Sequence, residues 1–219
     1  VEEVPFWKDG DYEGVESVGD DIFVVKSSGT IYKICKAGKP NQEVEKFNTE
    51  LNSDYDVEGL AYDKKNNQLL LACKAKAGEG SEYKRKKAIY GFSLTHYKLS
   101  VKPLFLISLE DVQDYLGTKP AIKKLEKIAE FFAPNESKFT FTPSGVAIHP
   151  MTEELFILST AGRLLVILSP DGEIVRIERM KKSLQPQPEG ICFDRDGSLF
   201  IASEGDGGTA LISKYPYLK

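Results

Sequence analysis

Residues 187–204 run Gln187-Pro-Glu-Gly-Ile191, then Cys-Phe-Asp-Arg-Asp-Gly197, then Ser-Leu-Phe-Ile-Ala-Ser-Glu204. A glutamate stands before a glycine, a short apolar strand follows, a polar turn reverses the chain, and a second apolar strand returns. The pattern recurs three times upstream. Asp56-Val-Glu-Gly-Leu60 opens a unit reaching Cys73, and Thr142-Pro-Ser-Gly-Val146 opens one reaching Ser159. Asp11-Tyr-Glu-Gly-Val15 opens a compressed version ending at Val25. Glu13 to Glu58 is 45 positions and Ser144 to Glu189 is 45 again, whereas Glu58 to Ser144 is 86. Further short strands rich in β-branched and aromatic residues fill each period, separated by turn residues such as Pro170-Asp171-Gly172. About four strands in a period of about 45 residues mark a propeller blade. A β-sandwich is the competing architecture, but its strands do not restart on the same tripeptide at a fixed interval.

The long middle interval holds more than one period. Leu109 to Phe132 reads as helix, broken between Gly117 and Pro120, with Ile122, Leu125, Ile128, Ala129 and Phe132 forming one apolar stripe. Pro134 stops it. The fold class is therefore all-β: a propeller of four-stranded blades, four units visible, with a helical insert at 109–132, in a single domain over 1–219. The last unit shows three strands and lacks a fourth. Val1 to Trp7 supplies it, or else forms the outermost strand of a blade whose other strands are absent.

Composition narrows the function classes. Apolar residues are 41% and charged residues 28%, the balance of a globular chain rather than a disordered one. A net charge of −4 gives no basic face for nucleic acid. The runs Lys84-Arg-Lys-Lys87 and Lys123, Lys124, Lys127 read as solvated surface. No stretch is long and apolar enough for a transmembrane segment, and no basic-then-apolar leader opens the sequence. Cys35, Cys73 and Cys192 lie in apolar runs at wide spacing, so they read as three buried free thiols rather than a disulfide framework or zinc site.

In a propeller, the residue entering each innermost strand lies near the central axis at one mouth of the channel. Here that position holds Glu13, Glu58, Ser144 and Glu189, each before a glycine. Converging carboxylates repel, and a cation relieves the repulsion. Oxygen donors without histidine or thiolate point to calcium. Glu204, at the end of the second strand of the last unit, is the fourth carboxylate. The alternative is that these glutamates accept backbone N–H groups of the neighbouring blade. Asp11 and Asp56 read as turn residues, as does His149, which sits where Asp63 and Asp194 sit in other units. Asp194-Arg-Asp-Gly197 opens like a calcium loop but lacks the later bidentate glutamate, so it reads as a hairpin turn. His96 has no evident partner, and Asn135-Glu-Ser137 matches a glycosylation acceptor.

The blade entries at Asp11–Val15 and Asp56–Leu60 and the run Pro188–Gly208 resemble the SdiA-regulated family of bacterial β-propellers, which is itself distantly similar to NHL-repeat propellers. The resemblance implies a five-bladed ring, a calcium site using Glu13, Glu58, Glu189 and Glu204, and an exported, periplasmic or membrane-anchored protein. It also implies a further blade entered by Ser-Gly-Leu, which this sequence does not contain. Three functional readings follow. The first is a calcium-binding propeller of the bacterial cell envelope that acts as a monomeric binding or scaffold module, taking an unidentified protein or small molecule at the channel mouth. The second is a metal-dependent hydrolase of phosphoesters or lactones. The third is an interaction module using the insert or the lysine-rich hairpin.

Overall fold

The computed structural model describes residues 3–119, 123–133, 139–205 and 207–218, with 123–127 described by backbone alone. Ile122, Pro134 and Asn135-Glu-Ser137 fall outside what is described, as does the side chain of Leu125. Four antiparallel sheets succeed one another along the chain. Blade 1 is β1 (Tyr12–Val18), β2 (Asp21–Lys26), β3 (Ile31–Cys35) and β4 (Glu43–Phe47). Blade 2 is β5 (Val57–Asp63), β6 (Gln68–Cys73) and β7 (Lys86–Ser93), with an outer strand split into β8 (Lys98–Leu99) and β9 (Phe105–Ser108). Blade 3 is β10 (Pro143–Ile148), β11 (Leu155–Ser159), β12 (Leu164–Leu168) and β13 (Ile174–Arg179). Blade 4 is β14 (Gln187–Phe193), β15 (Leu199–Glu204) and β16 (Leu211–Tyr215). This is the four-bladed propeller arrangement that the repeat predicts.

The helical insert forms α1 (Leu109–Gly117) and α2 (Lys123–Phe132). Ser108 caps α1 by accepting the Asp111 N–H at 3.0 Å, while the Asp111 carboxylate accepts the Ser108 N–H at 2.8 Å. Leu109, Val112, Ile128 and Phe132 bury themselves in the core shared by blades 2 and 3, so the insert closes the outer end of that interface.

The inner strands β1, β5, β10 and β14 pack side by side in that order. Alternation along each strand sends the entry glycine toward the following blade and the next residue toward the preceding one. A Cβ on Gly14 would lie 2.6 Å from Cβ of Leu60, one on Gly59 3.0 Å from Val146, and one on Gly145 2.8 Å from the Glu189 carbonyl oxygen. Only glycine permits this approach. A Cβ on Gly190, by contrast, would meet only Ala202 of its own blade.

Equivalent residues show that the seam between blades 4 and 1 is uncovered. Leu60 and Val146, which plug the preceding glycine, are 7% and 2% exposed, whereas Val15 is 70% exposed. Ile89 pairs with Ala72 and is 1% exposed; Ile212 pairs with Ala202 in the same way and is 74% exposed. Cys192 shares this bare face and is exposed, and Cys35 is half-buried, so of the three thiols expected to be buried only Cys73 is. Residues 3–10 form no strand on blade 4. Phe6 and Trp7 instead pack against Tyr32 of blade 1, and the Pro5 carbonyl accepts from Gln42. Blade 4 thus has three strands among the described residues. A five-bladed ring would place the inner strand of its further blade against Gly190 and Ile212.

If the burial difference is energetic, Ile89→Ala should cost about 2–5 kcal/mol in urea unfolding and Ile212→Ala about 0.5 kcal/mol or less. Equal losses would show that the blade 4 face is covered in solution.

Candidate functional site

In every blade the pairing of the first two strands slips at the same place: between Tyr12 and Gly14, Val57 and Gly59, Pro143 and Gly145, and Pro188 and Gly190. The skipped residue is Glu13, Glu58, Ser144 or Glu189. A β-bulge leaves one residue unpaired and re-aims its side chain. Four such bulges therefore present these side chains at one mouth of the channel, where Glu13, Glu58, Ser144, Glu189, Gln187 and Glu204 line a cavity of about 440 Å³.

A second set of side chains reaches the mouth from the ends of the second strands. The β1–β2, β5–β6, β10–β11 and β14–β15 registers place Ser27, Lys74, Thr160 and Glu204 at corresponding positions just past those pairings. Lys74 changes the electrostatics: its Nζ stands 2.7 Å from Glu58 Oε1 and 3.7 Å from Asp56 Oδ2. Burial works against its charge, but Glu58 and then Asp56 outweigh burial and hold its pKa above the ordinary lysine value. The sequence reading did not single out Lys74. Aligning the units at the second strand would have found it, because it occupies the position of Glu204.

Among the described residues Glu13, Glu189 and Glu204 form no ion pair. Burial and the neighbouring Glu58 charge push Glu13 from near 4.5 up to about 7, with a hydrogen bond to Asp11 adding to the shift. Asp11 is held below the ordinary range by Ser27 and by Glu13. Glu189 is raised by burial, against hydrogen bonds from Thr160 and Gln187. The Gln187 amide also donates to Glu204 Oε2 at 2.8 Å. Ser144 donates to the Pro188 carbonyl at 3.1 Å. The glutamate that does accept a neighbouring blade's N–H is Glu16, from Tyr62 at 3.2 Å.

Every donor lining the mouth is an oxygen or an amide, which suits a hard cation such as calcium. Among the described residues, however, no three His, Cys, Asp or Glu side chains stand close enough to share one ion. The two other sequence candidates are turn residues. His149 Nδ1 accepts the Met151 and Thr152 N–H groups, as Asp194 Oδ1 accepts those of Asp196 and Ser198.

Residues 101–206 match the SdiA-regulated family, the family that the blade entries resemble. The match includes Glu189 and Glu204; Glu13 and Glu58 precede it. No curated protein sequence matches the chain. Among solved structures, virginiamycin B lyase from Staphylococcus aureus superposes with a TM-score of 0.51 at 12% identity, over 95% of this chain and 56% of that one. U3-55K gives 0.53 at 10% identity, over 99% and 55%. A luciferin-regenerating enzyme gives 0.52 at 10%, over 96% and 79%. These likenesses show the propeller fold, and the chain spans little more than half the length of the first two. Among the described residues no helix is long and apolar enough to cross a membrane.

The raised Glu13 pKa has a definite sign. The folded state holds this proton more tightly than the unfolded chain, so its contribution to stability is complete below about pH 4.5 and is lost as pH rises through about 7. Melting midpoints measured across that window without added metal should therefore fall in the parent and fall less in Glu13→Gln. Parallel curves would place the titration elsewhere.

Proposed function

We propose that this chain, whose residues 101–206 match the SdiA-regulated family, is a binding or scaffold propeller that takes up calcium at its carboxylate mouth. One observation carries the reading: four bulge-aimed or strand-end carboxylates line one cavity, and one ammonium, that of Lys74, pairs with Glu58. Glu13 holds its proton up to about 7 because full ionisation there is unfavourable. A bound calcium ion would supply the positive charge that the cluster lacks. Glu13, Glu58, Glu189 and Glu204 are the residues that would hold it. For this, Glu13 gives up its proton, Lys74 leaves Glu58, and Gln187 keeps Glu189 and Glu204 side by side. The cell-envelope setting follows from the family resemblance, and the ligand is a protein or small molecule meeting the mouth.

Binding is favoured over hydrolysis by the state of the hydroxyls at the mouth, of which Thr160 donates to the Pro188 carbonyl at 2.6 Å. Ser144 gives its proton to a backbone carbonyl, and no histidine is among the residues lining the cavity. Activation as a nucleophile requires an adjacent base.

Thermal unfolding with calcium and with chelator tests the reading. At a hundredfold excess over its dissociation constant, calcium should raise the midpoint by roughly 5–10 °C, and Glu58→Gln should abolish the rise. Superimposable melts would reduce the carboxylates to a structural role.

A further inference from the structure

A second cavity, of about 470 Å³, opens beside blade 2, away from the carboxylate mouth. Its wall includes Lys87, with Tyr83 and Phe139 as aromatic surfaces and Lys84, Arg85 and Lys86 at the rim. Lys87 is a lysine only 9% exposed. Its Nζ donates to the carbonyl oxygens of Lys74 at 2.5 Å and Ala75 at 3.2 Å, and Ala75 lines the same cavity. Among the described residues no carboxylate is bonded to it, in contrast to Lys74, Lys76 and Arg85, which pair with Glu58, Glu79 and Glu110. Two hydrogens given to two carbonyls leave the nitrogen its lone pair once it is deprotonated. Burial favours that state by pulling the Lys87 pKa down to about 8, with Lys74 adding to the pull and Asp56 opposing it. An amine desolvated against a cavity wall is an activated nucleophile.

The rim indicates the ligand class. Lys84 and Lys86 make no ion pair among the described residues, so the rim carries two ammonium groups without a carboxylate partner beside a nucleophilic amine. We propose that Lys87 anchors a carbonyl compound, an aldehyde or 2-oxo acid bearing a phosphate or carboxylate, as an imine inside this cavity. The Nζ lone pair adds to the carbonyl carbon, and the carbonyl oxygen takes up a proton. The carbinolamine then expels that oxygen as water as the C=N bond forms. The two amine protons leave with the oxygen as that water, and no oxidant or reductant is needed. Lys84 and Lys86 attract the anionic group, and Tyr83 and Phe139 flank the carbon skeleton.

The probe is pyridoxal 5′-phosphate followed by borohydride, with the reduced adduct mapped by mass spectrometry. Lys87 should be labelled roughly tenfold faster than Lys84 or Lys86 despite its burial. Pyridoxal lacking the phosphate should react more slowly, and Lys87→Arg should lose the adduct. Should that variant fail to fold, the double variant Lys84→Gln with Lys86→Gln retains the amine and should slow its labelling severalfold. Labelling that follows exposure and leaves Lys87 unmodified would overturn the proposal. So would equal rates with the two probes.

Discussion

The closeness of one inner strand to the next is the constraint on which the rest of the structure depends. Gly14, Gly59 and Gly145 each face a side chain or carbonyl that leaves no room for a Cβ. That approach packs successive blades face to face, and the large side chain following each glycine plugs the blade before it. The extra residue that each bulge needs falls immediately before the glycine. Position at the mouth is therefore a by-product of blade packing. Any residue placed there is delivered to the axis, whatever its chemistry, and in three of four blades it is glutamate.

Delivery of like charges to one place has to be offset. Much of the offset is internal. Lys74 neutralises Glu58, Asp11 shares the Glu13 proton, and Gln187 bridges Glu189 and Glu204. Lys74 also joins the two cavities, since its ammonium faces the carboxylates while its carbonyl receives Lys87. The Lys74 charge also adds to the lowering of the Lys87 pKa, so moving the Lys74 side chain would reach the neighbouring amine through charge while leaving that backbone bond in place.

The parts of this architecture that repeat were legible in the sequence. The Glu-Gly entries, the apolar strands and the helical stripe each follow from a local steric or periodic rule. Their bulges were not legible, because register slips depend on the partner strand. The destination of the amino-terminal residues was also misjudged. An apolar run can serve as a strand or as a plug, and here the aromatic pocket around Tyr32 claims Phe6 and Trp7. Cys192 looked like a core residue because its strand is as apolar as its counterparts; it is exposed because none of the described residues covers that face, which no local pattern records. Lys74 and Lys87 were overlooked for another reason. Lysines in a polar hairpin read as solvated, and only tertiary proximity shows that one is an internal counter-ion and the other is desolvated.

The uncovered face of blade 4 grades cohesion along the chain. Blades 2 and 3 are gripped on both sides and share the insert's core, whereas the terminal blades are each held on one side by a neighbouring blade. In arrays where each unit touches only its neighbours, an end unit loses one interface and opens at lower free energy than the interior. Among the described residues blade 4 has three strands and a bare face, so whatever covers that face sets how readily the blade opens. Because blade 4 carries Glu189 and Glu204, the covering of that face bears on half of the mouth's carboxylates, while Glu13 and Glu58 stand on blades 1 and 2. A ligand gripping both halves would act as a clasp across the arc, tying blade 4 to blades 1 and 2.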